Sequence, residues 1–291
     1  MEYIILVSWY DMAEVAVDPI QWFMSVPVVS RCYLGATLAT TAACFMGIVS
    51  PLTLYYNFDL IVSKGQYWRV FSSFFFFGPV GLDFVLHLYF VVVSSTFLFL
   101  LCVLLTAYHV QSRYCLLLEE GIFRNRPADF TTMLIFGALL MFVLSYSVPT
   151  FATIKFLAHP LTFMMIYIWG RSPENVHVRL SFFGVLVFRA PYLPWAMLMM
   201  SFFFGNPIET DLLGIVAGHM YYFLEFVYPA VAAARGWRVR RILRTPSVLK
   251  RIFGQNIIED ELGGIEVRVH YTVATMEINN DRDFYSDYRH P

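Results

Sequence analysis

The chain has 291 residues, 58% of them hydrophobic and only 14% charged, with a mean hydropathy of +0.61. Soluble domains carry about 25% charged residues, so this composition excludes an ordinary soluble domain and indicates an all-α polytopic membrane protein. The net charge of −1 conceals a basic block at 235–251 followed by an acidic tail.

Residues 1–31 read as an N-terminal cytosolic or interfacial segment. Glu2, Asp11, Glu14 and Asp18 interrupt its apolar residues and no basic region precedes them. It therefore resembles a surface helix more than a signal peptide. Met12 offers an alternative start, with residues 1–11 as an upstream extension. A crossing needs about 20 apolar residues to span about 30 Å of hydrocarbon. Six stretches qualify within a membrane domain at 32–229, namely 32–55, 84–110, 130–148, 151–170, 191–205 and 208–229. Arg31 precedes the first. Charged connectors run from Arg113 to Arg126 and from Arg171 to Arg179. With an even count, all of these basic sites share one face, which places both termini in the cytosol.

The loop at 56–83 carries Gln66-Tyr67-Trp68-Arg69 and then Phe74–Phe77. Such a sequence suits partial embedding, with the Trp68 indole at the headgroup layer and the Arg69 guanidinium reaching phosphate or carbonyl oxygen. An ordinary aromatic belt is the plainer alternative. The 84–110 stretch would form a helix of about 40 Å and must tilt or protrude. The 191–205 stretch, opening on Pro191 and Pro194, would reach only about 22 Å. Before it, Leu180–Phe188 is apolar and bounded by Arg179 and Arg189, the pattern of an interfacial segment. A short span pressed on an interfacial helix thins the bilayer; a tilted span with Arg189 snorkelling is the alternative.

In the last stretch, Gly214 and Gly218 lie four apart beside His219. That spacing leaves a helix face on which a neighbour can approach to backbone contact. The juxtamembrane segment 230–254 follows, with Arg235, Arg238, Arg240, Arg241, Arg244, Lys250 and Arg251 and no acid from 235 to 251. It suits anionic lipid or a cytosolic partner, not nucleic acid. Residues 255–291 hold eight acids against three arginines and read as a solvated, disordered tail. Cys32, Cys44, Cys102 and Cys115 show no paired spacing, and His109, His159 and His177 form no His-x-x-x-His pattern. Neither a disulfide frame nor a metal site is expected, and no cofactor motif is present.

Several blocks in fixed order resemble the Derlin (Der1-like) family, relatives of rhomboid intramembrane proteases that lack catalysis. They are Pro27-Val-Val-Ser30-Arg31, Gln66-Tyr-Trp68-Arg69, Phe77-Gly78-Pro79, and Leu118-Glu119-Glu120-Gly121 through Arg124, Arg126 and Ala128-Asp129-Phe130. Phe183-Gly184, Leu193-Pro194-Trp195, the Gly214/Gly218/His219 helix and Arg241-Ile-Leu-Arg244-Thr245-Pro246 complete the set. The resemblance implies a rhomboid-like six-transmembrane-helix bundle in the endoplasmic reticulum membrane. It also implies a role in endoplasmic-reticulum-associated degradation, moving misfolded client proteins to the cytosol. A membrane ubiquitin ligase complex, a cytosolic AAA ATPase and homo- or hetero-oligomers with other Derlins are the implied partners. Three departures stand out. Residues 91–111 look inserted, the tail lacks a hydrophobic–Phe–Gly–Gly–Leu box for the ATPase, and 255–291 resemble nothing in the family.

Rhomboid proteolysis would need a serine in a Gly-x-Ser-Gly setting on the fourth span, activated by a histidine on the sixth. His219 fits the histidine position, but Phe151–Gly170 contains no serine and offers Thr153 and Thr162 as hydroxyls. Gly170-Arg171-Ser172 is followed by Pro173. No catalytic residue is therefore assigned, and His219 is expected to hydrogen-bond across a helix seam. Two other classes stay open: a protease using Thr162 or Ser172 with His219, and a small-solute transporter, which would call for inverted repeats. The favoured mechanism is a shortened hydrocarbon layer with a polar lateral groove between the second and fifth spans, formed by the 191–205 stretch and the Gln66–Arg69 loop.

Overall fold

A computed structural model describes residues 4–5, 24, 26–76, 114–173, 175–182, 186–203, 205, 207–235 and 242–254. The fold is mostly helical and divides into two compact units, Met1–Tyr221 and Tyr222–Pro291. The first holds β1 (Ile4–Ile5), α1 (Val28–Phe45), α2 (Pro51–Leu54), α3 (Phe58–Lys64), α4 (Trp68–Ser72), α5 (Pro127–Ser147), α6 (Ala158–Arg171), β2 (Arg179–Phe182), β3 (Leu186–Arg189), α7 (Leu193–Phe203) and α8 (Ile208–Tyr222). The 84–110 stretch, the inserted segment 91–111 and the tail 255–291 lie outside the described residues.

α5 is apolar on two faces. Pro127 opens it with a pre-set φ, and Asp129 in the first turn complements the helix dipole. Phe130, Met133, Gly137, Met141 and Ser145 form a buried stripe, while Ile135, Leu139, Val143 and Tyr146 stand exposed on another face. An apolar outer stripe as regular as the inner one suits contact with lipid or another apolar surface. Among the described residues α5 is the one helix long and apolar enough to cross a bilayer.

Several expected boundaries move. The 32–55 stretch is α1 from Val28 to Phe45 and then turns away, because Gly47 takes a left-handed φ of 71° and Pro51 starts a new helix. The 151–170 stretch becomes helical only at Ala158, where Leu157 and Ala158 donate their backbone N–H groups to the Ser73 carbonyl at 2.9 and 3.2 Å. A tertiary acceptor, which apolar counting does not register, fixes that start. Among the described residues, the 191–205 stretch holds a 3-10 turn at Ala190–Tyr192 and then the 11 residues of α7, about 16 Å.

The all-α expectation is corrected by a three-stranded sheet in the order β1-β2-β3. β2 and β3 pair antiparallel, so Leu180–Phe188 runs as a hairpin and not as an interfacial helix. Its residues Phe182, Val185, Val187 and Phe188 favour extended backbone. Ile4–Ile5 adds a parallel edge to β2 where a surface helix was expected.

α6 lies at the centre of the first unit. Every residue in it except His159 and Arg171 is buried. In the second unit a π-helical turn at Phe223–Val227 leads to α9 (Tyr228–Ala234), followed by α10 (Ser247–Ile252) after Pro246. Arg244 and Arg251 are exposed there and Lys250 is buried; Arg240 and Arg241 lie outside the described residues.

Candidate functional site: a parallel helix seam and a loop platform

α6 packs on two glycines of α8. A Cβ at Gly214 would collide with the Pro160 carbonyl oxygen and come within 2.6 Å of Phe163 Cβ. One at Gly218 would lie 2.9 Å from Tyr167 Cβ. This close approach is available only to helices with a bare face.

Two polar pairs cross the same seam. His159 Nε2 lies 2.8 Å from Asp211 Oδ1, and Tyr167 Oη lies 2.7 Å from His219 Nδ1. Each pair joins residues 52 apart in sequence. The register therefore rises together, and α6 and α8 run parallel with the pairs about 12 Å apart along the axis. Asp211 is fully buried, its Oδ2 without a hydrogen-bond partner among the described residues. The Arg171 guanidinium lies 5.5 Å from the centre of the Tyr167 ring.

These contacts bear on hydrolysis. Thr162 Oγ1 donates to the Ala158 carbonyl at 3.1 Å, inside its own helix. Ser172 Oγ donates to the Trp169 carbonyl at 2.8 Å and accepts from Asn175 Nδ2 at 2.8 Å, closing the end of α6. Neither is bonded to His219, whose partner is a phenol. Tyr167 and Asp211 were passed over in the sequence. The available signal was polar residues eight apart in both apolar segments, His159 with Tyr167 and Asp211 with His219.

The loop forms a platform of three short helices. Ser50 Oγ caps α2 and Asn57 Oδ1 caps α3 at the Leu60 N–H, while Gly65 ends α3 in the left-handed region. Arg69 binds the platform together from inside. It is 6% exposed, and its Nε donates to Gln66 Oε1 at 2.6 Å. Its Nη1 donates to the Leu52 and Tyr55 carbonyls, both at 3.1 Å, and the guanidinium lies over the Tyr55 ring at 4.7 Å. Arg69 is thus held from within the protein: Gln66 Oε1 takes its Nε, and the Leu52 and Tyr55 carbonyls take its Nη1. Trp68, Tyr67 and Phe71 are exposed instead. The Tyr33 hydroxyl donates to the Phe74 carbonyl at 3.1 Å, and the Tyr56 N–H to the Lys155 carbonyl at 2.7 Å, which brace the platform against α1 and the approach to α6. An apolar crevice of about 240 Å³ opens beside it, lined by Tyr56, Phe58, Ile61, Val70, Phe142 and Tyr146.

Of the connector motif, Glu119 is buried and Glu120, Gly121 and Arg124 are exposed. The Glu119 carboxylate accepts from the Val29 N–H at 3.2 Å, the Ser30 N–H at 2.8 Å and Ser30 Oγ at 2.6 Å. It thus supplies from 89 residues away the cap that Pro27 cannot provide to α1. One turn earlier, burial pushes the Cys115 thiol well above the usual thiol range, and the Glu119 charge adds to the effect.

The sequence model of the Der1-like family matches residues 26–100 and 96–247, two stretches that meet within the segment read as inserted. The chain is 38% identical to a probable derlin-2 homolog of Dictyostelium discoideum, over 79% of this chain and 81% of that relative. It is 40% identical to Derlin-2.2 of Arabidopsis thaliana, over 80% and 87%, and 39% identical to Derlin-2 of Oryza sativa subsp. japonica, over 81% and 86%.

Proposed function

The chain belongs to the Der1-like family, and on that premise we propose that it is a non-catalytic component of endoplasmic-reticulum-associated degradation. It eases the passage of misfolded luminal and membrane proteins to the cytosol. It resides in the endoplasmic reticulum membrane as a multi-pass protein with both termini cytosolic, the six spans including the 84–110 stretch. A misfolded segment carries backbone amides whose burial in hydrocarbon without partners costs several kcal/mol each. A thinner hydrocarbon layer lowers that barrier without bond chemistry.

One observation carries this reading. α7 has 11 residues, about 16 Å, against about 31 Å for the 21 residues of α5. Trp195, Met199, Phe202 and Phe203 on α7 are exposed, so a short helix presents its apolar side chains outward. Lipid that follows such a helix is compressed. Extraction then draws on a cytosolic AAA ATPase, with a membrane ubiquitin ligase and other Derlins as neighbours.

The test lengthens α7. Four leucines inserted between Met199 and Met200 add about 6 Å. In cells lacking their own Derlins, the half-life of a misfolded luminal client should be short with the natural chain and long with the lengthened one. Equal half-lives, with both proteins equally abundant, would overturn the reading.

A further inference from the structure

The β2–β3 hairpin is closed at its base by two arginines. The register sets Arg179 directly opposite Arg189, and both side chains are exposed. Residues paired this way project from the same face with Cβ atoms about 5 Å apart, where like charges oppose the pairing. Neither arginine has an acidic partner among the described residues. The Gly170 backbone abuts Ala190, whose carbonyl oxygen lies 2.5 Å from where a Cβ would sit, so Arg171 and Arg189 flank one contact. Arg171 Nε is buried without a hydrogen-bond partner among the described residues. Between the two paired arginines, Leu180 to Phe188 carries no charge at all.

An uncharged apolar hairpin with paired guanidinium groups at its base has the charge distribution of an element seated at the headgroup layer. We propose that Arg179 and Arg189 form a clamp for the phosphate of an anionic phospholipid, with a preference for phosphomonoester headgroups. Each guanidinium presents two parallel N–H donors that match phosphate oxygens, and the bound dianion removes the repulsion between the two strands. The ligand is drawn from the bilayer because the sequence between the two arginines, Leu180 to Phe188, carries no charge, a composition suited to lipid and not to water. The inference does not depend on the retrotranslocation reading.

Native mass spectrometry of the full-length protein, titrated with phosphatidic acid and with phosphatidylcholine of the same acyl chains, tests it. Phosphatidic acid should bind about tenfold more tightly, the equivalent of one strong charge-assisted contact. The Arg179→Gln/Arg189→Gln protein should lose that preference. Arg189→Glu supplies Arg179 with an internal partner. It should keep or raise the unfolding temperature of the lipid-free protein while abolishing the preference, which separates loss of the clamp from misfolding. Arg244→Gln/Arg251→Gln should leave the preference intact. The proposal fails if Arg189→Glu still prefers phosphatidic acid, or if the Arg244/Arg251 variant loses the preference. It fails equally if glycerol 3-phosphate competes as well as the lipid, since the site would then take a soluble anion.

Discussion

Tyr167 Oη sits 2.7 Å from His219 Nδ1, with the two rings edge to face at 5.9 Å. The imidazole that would serve a nucleophile is held by a phenol from the helix that would carry it. Incubation of the purified protein with a rhomboid transmembrane substrate should therefore yield no product. Cleavage that disappears in His219→Ala would reinstate the protease reading. Tyr167→Phe removes the bond to the His219 imidazole and should lower stability by about 0.5–1.5 kcal/mol, read as a drop in melting temperature in detergent.

The two seam glycines should differ in what they tolerate. At Gly214 the added methyl meets the Pro160 carbonyl, which is backbone and cannot turn aside; at Gly218 it meets the side chain of Tyr167. Both alanine variants overpack the seam, by about 1–3 kcal/mol. Thermal unfolding should place Gly214→Ala below Gly218→Ala, and the reverse order would refute the account of the contact.

In the loop, Trp68 and Arg69 should part company. Trp68→Ala removes an exposed ring and should shift stability by no more than about 0.5 kcal/mol, while slowing client degradation. Arg69→Ala strips a buried donor from two carbonyls and should cost about 2–3 kcal/mol. Arg69→Lys should not rescue it, because one ammonium cannot reach Gln66, Leu52 and Tyr55 together. Paired melting and client-chase measurements distinguish the two roles.

Glu119→Ala should cost about 2–3 kcal/mol by uncapping α1, whereas Glu120→Ala should be neutral. Proteolysis near residue 30 would report the loss directly.

Burial raises the Cys115 thiol pKa, so at any given pH less of it is the reactive thiolate. Proteins carrying Cys115 alone should resist maleimide at pH 8 in mild detergent and react on denaturation. Cys32, which is exposed, should label without denaturant.

Much of the layout could be read in advance, and the misses have physical causes. α5 lies close to its expected range and α8 starts where expected, because a continuous apolar run favours a single helix, although α8 gives way to a π-helical turn after Tyr222. α6 was placed too early because its start depends on the Ser73 carbonyl, a partner 84 residues away in sequence from Leu157. The hairpin was missed because an apolar run of nine residues fits a strand or a helix equally until pairing chooses. Gly214 and Gly218 announce a face without side chains, but nothing in their spacing names Pro160 and Tyr167 as what lies against it. Arg69 shows the same limit: beside a tryptophan it reads as a lipid-facing cation, and only the folded loop reveals the carbonyls that claim it.

The parallel course of α6 and α8 constrains how the protein can open. Their positive poles lie at one end, where the buried Asp211 carboxylate meets both first turns; beyond it Gly214 abuts the Pro160 backbone and Gly218 abuts the Tyr167 side chain. Prising these helices apart would strip the buried Asp211 carboxylate of His159 and uncover the buried Tyr167 phenol at once. The pair is therefore the part of the first unit least able to part, and a lateral opening of the kind proposed must lie away from it.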